Sequence, residues 1–359
     1  MERQRLWSAV KAFHANAQGS RCAKILLMSP APRHFSGLTL FVPGLLLPEE
    51  ILAATTFDLT APALSLILGR GRRVEIAAEM PAALFGLKRL PVAALRKVGA
   101  GKAAEGDWLC LDPVHWRIGA RGATLDDPKH LALTDDENAA LLEAVAPLFA
   151  DWGALSSSQP GHWELRLTRP LALETQPLPH ALHQPIDPEL PAGGDGQAWR
   201  RLIFEAQLLL AAHPVNRQRE ETGRPTINSL WPWGQGALPA TVAKPFGRTL
   251  GADASLMGLC RLAGIDCQPA PPCFTPELED TLVVIEALAT AALGYDALAW
   301  REELMKLDRD WLAPALSTGS EITLIGQRLG AAPIAVAFHW KRGDRLRFWR
   351  KPRPLTELK

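Results

Sequence analysis

The 359-residue chain has almost no net charge: 39 Lys and Arg oppose 38 Asp and Glu, leaving +1. So even a balance gives no global field to draw in nucleic acid or an anionic membrane. No run approaches the roughly 18 uninterrupted apolar residues of a membrane span, and the first residues, with Glu2, Arg3 and Arg5, carry no apolar signal core, so a cytoplasmic protein is expected. Tyrosine is nearly absent, with one residue against 12 Trp. The five cysteines, Cys22, Cys110, Cys260, Cys267 and Cys273, lack the spacing of a zinc knuckle or redox pair, so reduced buried thiols are expected. Ser156, Ser157 and Ser158 have no nucleophile-elbow glycines, and the Gly69–Gly71 turn has neither Walker nor Rossmann spacing.

What is present is an ordinary globular composition, 47% hydrophobic and 21% charged, with 30 Pro. At about 150 residues per domain, the length suits two domains or one large core with an insertion. The first 36 residues, with an amphipathic stretch from Leu6 to Phe13, are expected to be a leader. LTLFV, from Leu38 to Val42, is an unbroken apolar run closed by Pro43 and Gly44, which predicts a central parallel strand ending in a tight turn. A helix is expected near Pro91 to Val98.

Residues 107–180 predict a small α+β insertion. WLCLDPVHWRI reads as a strand pair, and Thr134 with Glu137 three residues later predicts a capping box opening a helix with Leu141, Leu142, Val145, Leu148 and Phe149 inward. WELRLT alternates, placing Trp163, Leu165 and Leu167 on a buried face and Glu164, Arg166 and Thr168 on a wet one. A linker over 171–196 leads to a helix from Trp199 to Leu210 that stops before His213 and Pro214. Thr275 and Pro276 predict another helix, running through Leu282, Val283 and Glu286. The strands ITLI, PIAVAF and LRFW are expected after it, the last as an edge strand guarded by Arg345, Arg347, Arg350, Lys351 and Arg353.

The densest polar cluster is HPVNRQREETGRPTINSLWPWGQG. Its turns set Asn216, Arg219, Asn228 and Gln235 beside Trp231 and Trp233, so Arg219 and Asn228 could hold a phosphate or carboxylate. Ahead of that stands the structural reading, in which the amides pin the loop to itself while the indoles fill the core. His180, His183 and His213 show no metal-ligand spacing.

This segment resembles the HPVN, Arg and IWLWGQG pattern of the archaeal-type cofactor-independent phosphoglycerate mutases, in the alkaline phosphatase superfamily. GDWLCLDPVHW, the Thr134 helix, PLPH with ELPAGG, LMGLCRLAGI and MKLDRDWLAPAL resemble further family segments, so the likeness covers roughly Leu38 to Leu316. The bacterial RpfE-type regulatory proteins are similar as well. The resemblance implies an α/β fold: an alkaline-phosphatase-like core with a mostly parallel sheet flanked by helices, over 37–106 and 181–345, plus a small α+β insertion domain over 107–180 and a basic tail over 346–359.

In catalysis the resemblance implies two divalent metals held by Asp and His, and a Ser or Thr nucleophile. The matching positions here are Pro43 and Leu47 for the first aspartates, Ala61 for the hydroxyl, and Ala254 for a later aspartate, with Asp253 one place out of register. Leu111 stands for an arginine, Gly326 and Gln327 for an Asp-His pair, and the stretch from Tyr295 to Leu307 is too short for the family's His-containing metal loop. The expectation is a degenerate mutase-like module with no metal or cofactor and no catalytic residues. Its ligand candidates are His180, His213, Asn216, Arg219, Asn228, Trp231, Trp233 and Gln235. The partner expected is a phosphorylated small molecule or a protein, not nucleic acid or membrane. The alternative is a metal-independent enzyme using His180, His213 or Asp187 as acid or base.

Overall fold

The computed structural model describes residues 37–358 apart from 120–121, 183, 187–189 and 331–332. The expected leader, His183 and Asp187 lie outside the described residues. In chain order the strands are β1 (Leu38–Pro43), β2 (Arg72–Val74), β3 (Asp107–Val114), β4 (Trp116–Gly119), β5 (Gly122–Leu125), β6 (Gly153–Gln159), β7 (His162–Leu167), β8 (Ser229–Ala237), β9 (Arg248–Leu250), β10 (Asp266–Gln268), β11 (Thr281–Val284), β12 (Ile322–Arg328) and β13 (Ile334–Trp340). The helices that position the site are α1 (Pro62–Arg70), α2 (Val92–Gly99), α3 (Asp135–Val145), α4 (Gly196–Ala212), α5 (Pro214–Glu221), α6 (Ala254–Ala263), α7 (Ala287–Leu293) and α8 (Ala297–Lys306).

The expected α/β core is present as a seven-stranded sheet in the order β10-β9-β11-β1-β12-β13-β2. β1 lies between β11 and β12 and is parallel to both, which accounts for its continuous apolar sequence: each face of a central parallel strand is covered. β13 and β2 add an antiparallel edge. Gly44, at φ +78°, makes the turn after β1, and a side chain there would strike the backbone of Ala289.

A second, antiparallel sheet has the order β6-β7-β3-β8. One face packs Leu109, Leu111, Trp163 and Leu165 against apolar residues of α3 and α4, among them Leu141, Val145, Trp199 and Leu210. The other face meets α2, which also packs on α6 of the core and so joins the two sheets. The Thr134 capping box forms as expected, with the Glu137 N–H donating to the Thr134 hydroxyl and the Glu137 carboxylate accepting from the Thr134 N–H.

Several expectations are overturned, each for a local reason. WPWGQG is β8, paired with β3, so this segment and α4 build the second sheet's layers rather than the core's. HPVN opens α5, with Pro214 in its first turn and the His213 ring accepting the Val215 N–H. The helix expected from Thr275 is absent over 281–284, where TLVV is the inner strand β11, between β9 and β1: the β-branched residues and the positive φ of Asp280 favour a strand after a turn. The two halves of WLCLDPVHWRI do not pair; β3 joins β7 and β8, while β4 pairs with β5. LRFW is no strand, and the tail returns to the core with Leu355 buried. Glu164 is buried because α2 covers the face expected to be wet. Cys110 and Cys260 are buried free thiols, but Cys273 is exposed.

Candidate functional site

Ligands of open α/β sheets bind beyond the carboxyl ends of the parallel strands. Here that edge begins with the turn after β1, and its side chains are apolar: Leu45 and Leu46 are buried in the core cluster with Leu288 of α7, and Leu47 packs against it. The Trp300 indole N–H donates to the Gly44 carbonyl at 2.7 Å, holding α8 against the turn. Gln327, at the end of the β1 pairing, turns its amide to the Ala78 carbonyl at 3.1 Å.

Ala61 is the residue before α1, where it supplies no capping side chain. The helix start is closed instead by Asp308, from a π-helical segment 244 residues later: Oδ1 accepts the Leu64 N–H at 2.6 Å and Oδ2 the Ala63 N–H at 3.4 Å. A carboxylate belongs at a helix N-terminus electrostatically, and this one comes from the chain itself. Burial nonetheless raises the Asp308 pKa.

Further along the edge, Asp253 caps α6, its Oδ1 accepting from the Leu256 N–H at 2.7 Å and the Ser255 hydroxyl at 2.8 Å. Burial, reinforced by the Asp253 charge, raises the pKa of Glu286 after β11. Lys129 reaches over from the segment before α3 to within 3.7 Å of Glu286 Oε2 and 3.4 Å of the Thr290 hydroxyl. The implied pair of divalent metals does not fit these residues. Pro43, Leu47, Ala61 and Ala254 carry no donor side chain, and among the described residues no three His, Cys, Asp or Glu are grouped to share an ion.

A second polar cluster lies between α2 and the second sheet. Asp112 is its hub: Arg96 donates to both carboxylate oxygens at 2.8 and 2.9 Å, the Trp233 indole at 2.8 Å and the Trp163 N–H at 3.2 Å. The Arg96 guanidinium also stands 5.0 Å over the Trp233 ring. Beside this saturated pair, Glu164 is 0% exposed and keeps one oxygen without a hydrogen bond. Its Oε1 accepts from the Ser158 hydroxyl at 2.6 Å, while the Lys97 ammonium donates to Ser156 and stays 4.0 Å from Oε2. Burial pushes the Glu164 pKa up to about 7 and the Lys97 pKa down. At the start of β7, burial and the Arg96 charge lower the His162 pKa to about 4, leaving a neutral ring with an unpartnered Nδ1.

The sequence-nominated residues are used otherwise. Arg219 is 0% exposed and donates to the Pro225 carbonyl, Glu137 and the Leu131 carbonyl. Asn216 bridges Leu210 and Ile227, and Asn228 clamps both backbone groups of Trp116. Trp231 donates to Gln176, Trp233 to Asp112, and Gln235 to the Leu171 carbonyl. His213 caps α5, and His180, its pKa lowered by burial, lies in the short helix Leu178–Ala181. The structure gathers Trp233 alone of these into the Asp112 cluster. Asp112, Glu164, Arg96, Lys97 and Asp308 were not nominated. An aspartate inside the apolar run WLCLDPV was the available signal for Asp112, since a buried carboxylate needs a buried partner.

Comparison with known proteins gives a partial answer. The 2,3-bisphosphoglycerate-independent phosphoglycerate mutase of Methanosarcina mazei is 40% identical over 86 residues, 23% of this chain and 22% of that protein. The probable enzyme of the same name from Geobacter sulfurreducens is 38% identical over 90 residues, 24% of this chain and 22% of that protein. Part of this chain is phosphoglycerate-mutase-like. The match spans less than a quarter of these relatives' length. The structure of the cofactor-independent phosphoglycerate mutase from Thermoplasma acidophilum aligns over 86% of this chain and 90% of its own, with TM-score 0.41 and 18% identity. No family model matches the chain.

Proposed function

We propose that this protein is a catalytically degenerate relative of the phosphoglycerate mutases, built on an alkaline-phosphatase-like core and acting as a regulatory or ligand-binding module, as the RpfE-type proteins are described. The observation that carries this reading is the filled edge of the parallel sheet. Leu45, Leu46 and Leu288 occupy the space beyond β1, and Asp308 takes the N–H groups of α1 next to Ala61. A phosphoryl acceptor needs a hydroxyl or carboxylate there and cations to neutralise the transferred group; alanine and leucine supply neither.

The partner is a phosphorylated small molecule or a protein. Arg219 and Asn228 are set aside as its main contacts, because both are committed to backbone and Glu137. Metal quantification by inductively coupled plasma mass spectrometry, after dialysis from manganese and zinc, tests the reading. Less than one ion per three chains is expected; two tightly held ions per chain would overturn it.

A further inference from the structure

The segment 345–353, RLRFWRKPR, is held as a fixed shape without being a strand. Arg70 donates to the carbonyls of Arg350 and Arg345 at 3.1 and 3.0 Å, and Arg347 returns the contact by donating to the Arg70 carbonyl at 3.0 Å. Arg347 also pairs with the buried Asp344, and the Arg353 N–H donates to the Ser65 carbonyl. Gly69 lets the segment come this close, for a side chain there would collide with the Lys351 carbonyl. Downstream, Leu355 anchors the chain in the core cluster.

From this clamped loop three apolar side chains project into solvent. Leu346 is 73% exposed, Phe348 80% and Trp349 68%, with the two rings edge to face at 5.4 Å. A rigid loop that keeps an aliphatic and two aromatic side chains in water gains nothing within the chain from doing so; they are placed for something outside it. Arg350, Lys351 and Arg353 are exposed beside them, and their side chains have no hydrogen-bond or ion-pair partner among the described residues. The nearby carboxylate, Asp344, is buried and already paired. The partner is therefore anionic and offers an apolar layer. Single-stranded nucleic acid would supply the charge, but bases stack on ring faces, whereas these rings are set at 80° to each other and the third side chain is an aliphatic leucine.

We propose that this loop is a contact surface for an anionic lipid bilayer. Leu346, Phe348 and Trp349 enter the boundary between headgroups and acyl chains, where indoles favour the interface, and Arg350, Lys351 and Arg353 pair with lipid phosphates. The Arg70 clamp meets the ordering cost before contact. The binding is peripheral, consistent with the lack of a membrane-crossing helix among the described residues.

Flotation of the full chain with phosphatidylcholine vesicles, with and without phosphatidylserine, tests this surface. Wild type is expected to float with the anionic vesicles, to remain behind with neutral ones, and to be released by high salt. Phe348→Ser with Trp349→Ser, and separately Arg350→Glu with Lys351→Glu, should each weaken binding on the order of tenfold or more. All four side chains are exposed, so an unchanged melting temperature is expected and would confirm that folding is intact. Failure of wild type to float, or undiminished flotation of the aromatic double variant, would overturn the proposal. So would a salt-sensitive shift of single-stranded RNA without vesicle binding, which would assign the surface to nucleic acid.

Discussion

The carboxylate of Asp308 accepts the backbone N–H of Leu64 at 2.6 Å, tying the π-helical segment to the first turn of α1. Ala61 precedes this start and packs, like Leu47 after β1, against the same apolar cluster, so the helix start is satisfied from within the chain. Asp308→Ala leaves two buried N–H groups without this acceptor. It is expected to cost about 1–3 kcal/mol in urea unfolding, with Asp308→Asn closer to wild type because the amide oxygen still accepts.

Asp112→Ala strands the Arg96 guanidinium in the interface between α2 and the second sheet and removes the acceptor of the Trp233 indole. Removing one partner of a buried ion pair costs about 3–5 kcal/mol. A large fall in melting temperature, or loss of soluble protein, is the expected outcome; a shift within error would show that the pair does not hold the two layers together.

Glu164 makes stability depend on pH. Its folded pKa of about 7 lies above the unfolded value of 4.5, so the folded state holds the proton more tightly. That contribution is complete below pH 4.5 and is lost as the pH rises to 7, then changes no further. Glu164→Gln, which remains neutral, should gain stability relative to wild type across this window. Paired denaturant titrations of the two proteins from pH 4.5 to 8 read the difference; parallel curves would place the Glu164 pKa near its ordinary value.

Arg219 serves the fold by joining Glu137 to the carbonyls of Leu131 and Pro225. Arg219→Ala is expected to destabilise the protein by about 3 kcal/mol or more through the buried acceptors it abandons. Thr134→Ala, which removes only a helix cap, should cost about 1 kcal/mol. Equal effects of the two would indicate that Arg219 is not a structural keystone.

The legible parts of the sequence were those with local causes. The apolar run of β1, the capping box at Thr134 and the stop at His213 and Pro214 carry their instructions within a few residues, and each formed. WPWGQG failed as a loop because its partner, β3, lies more than a hundred residues earlier, and only that pairing makes a strand of it. Glu164 was read as solvent-facing because alternation distinguishes two faces without saying whether a helix will cover the second. TLVV followed a good helix-start signal, and the sheet's inner slot outweighed it. The candidate site was legible as missing donors at Pro43, Leu47 and Ala61; that Asp308 fills the adjoining helix start requires a contact across 244 residues, which no spacing reveals.

The most direct measurement is conversion of 3-phosphoglycerate to 2-phosphoglycerate by the purified full chain in the presence of manganese, followed through a coupled assay. With the sheet edge filled by leucine and alanine, no turnover above the protein-free rate is expected. Sustained manganese-dependent turnover would contradict the account.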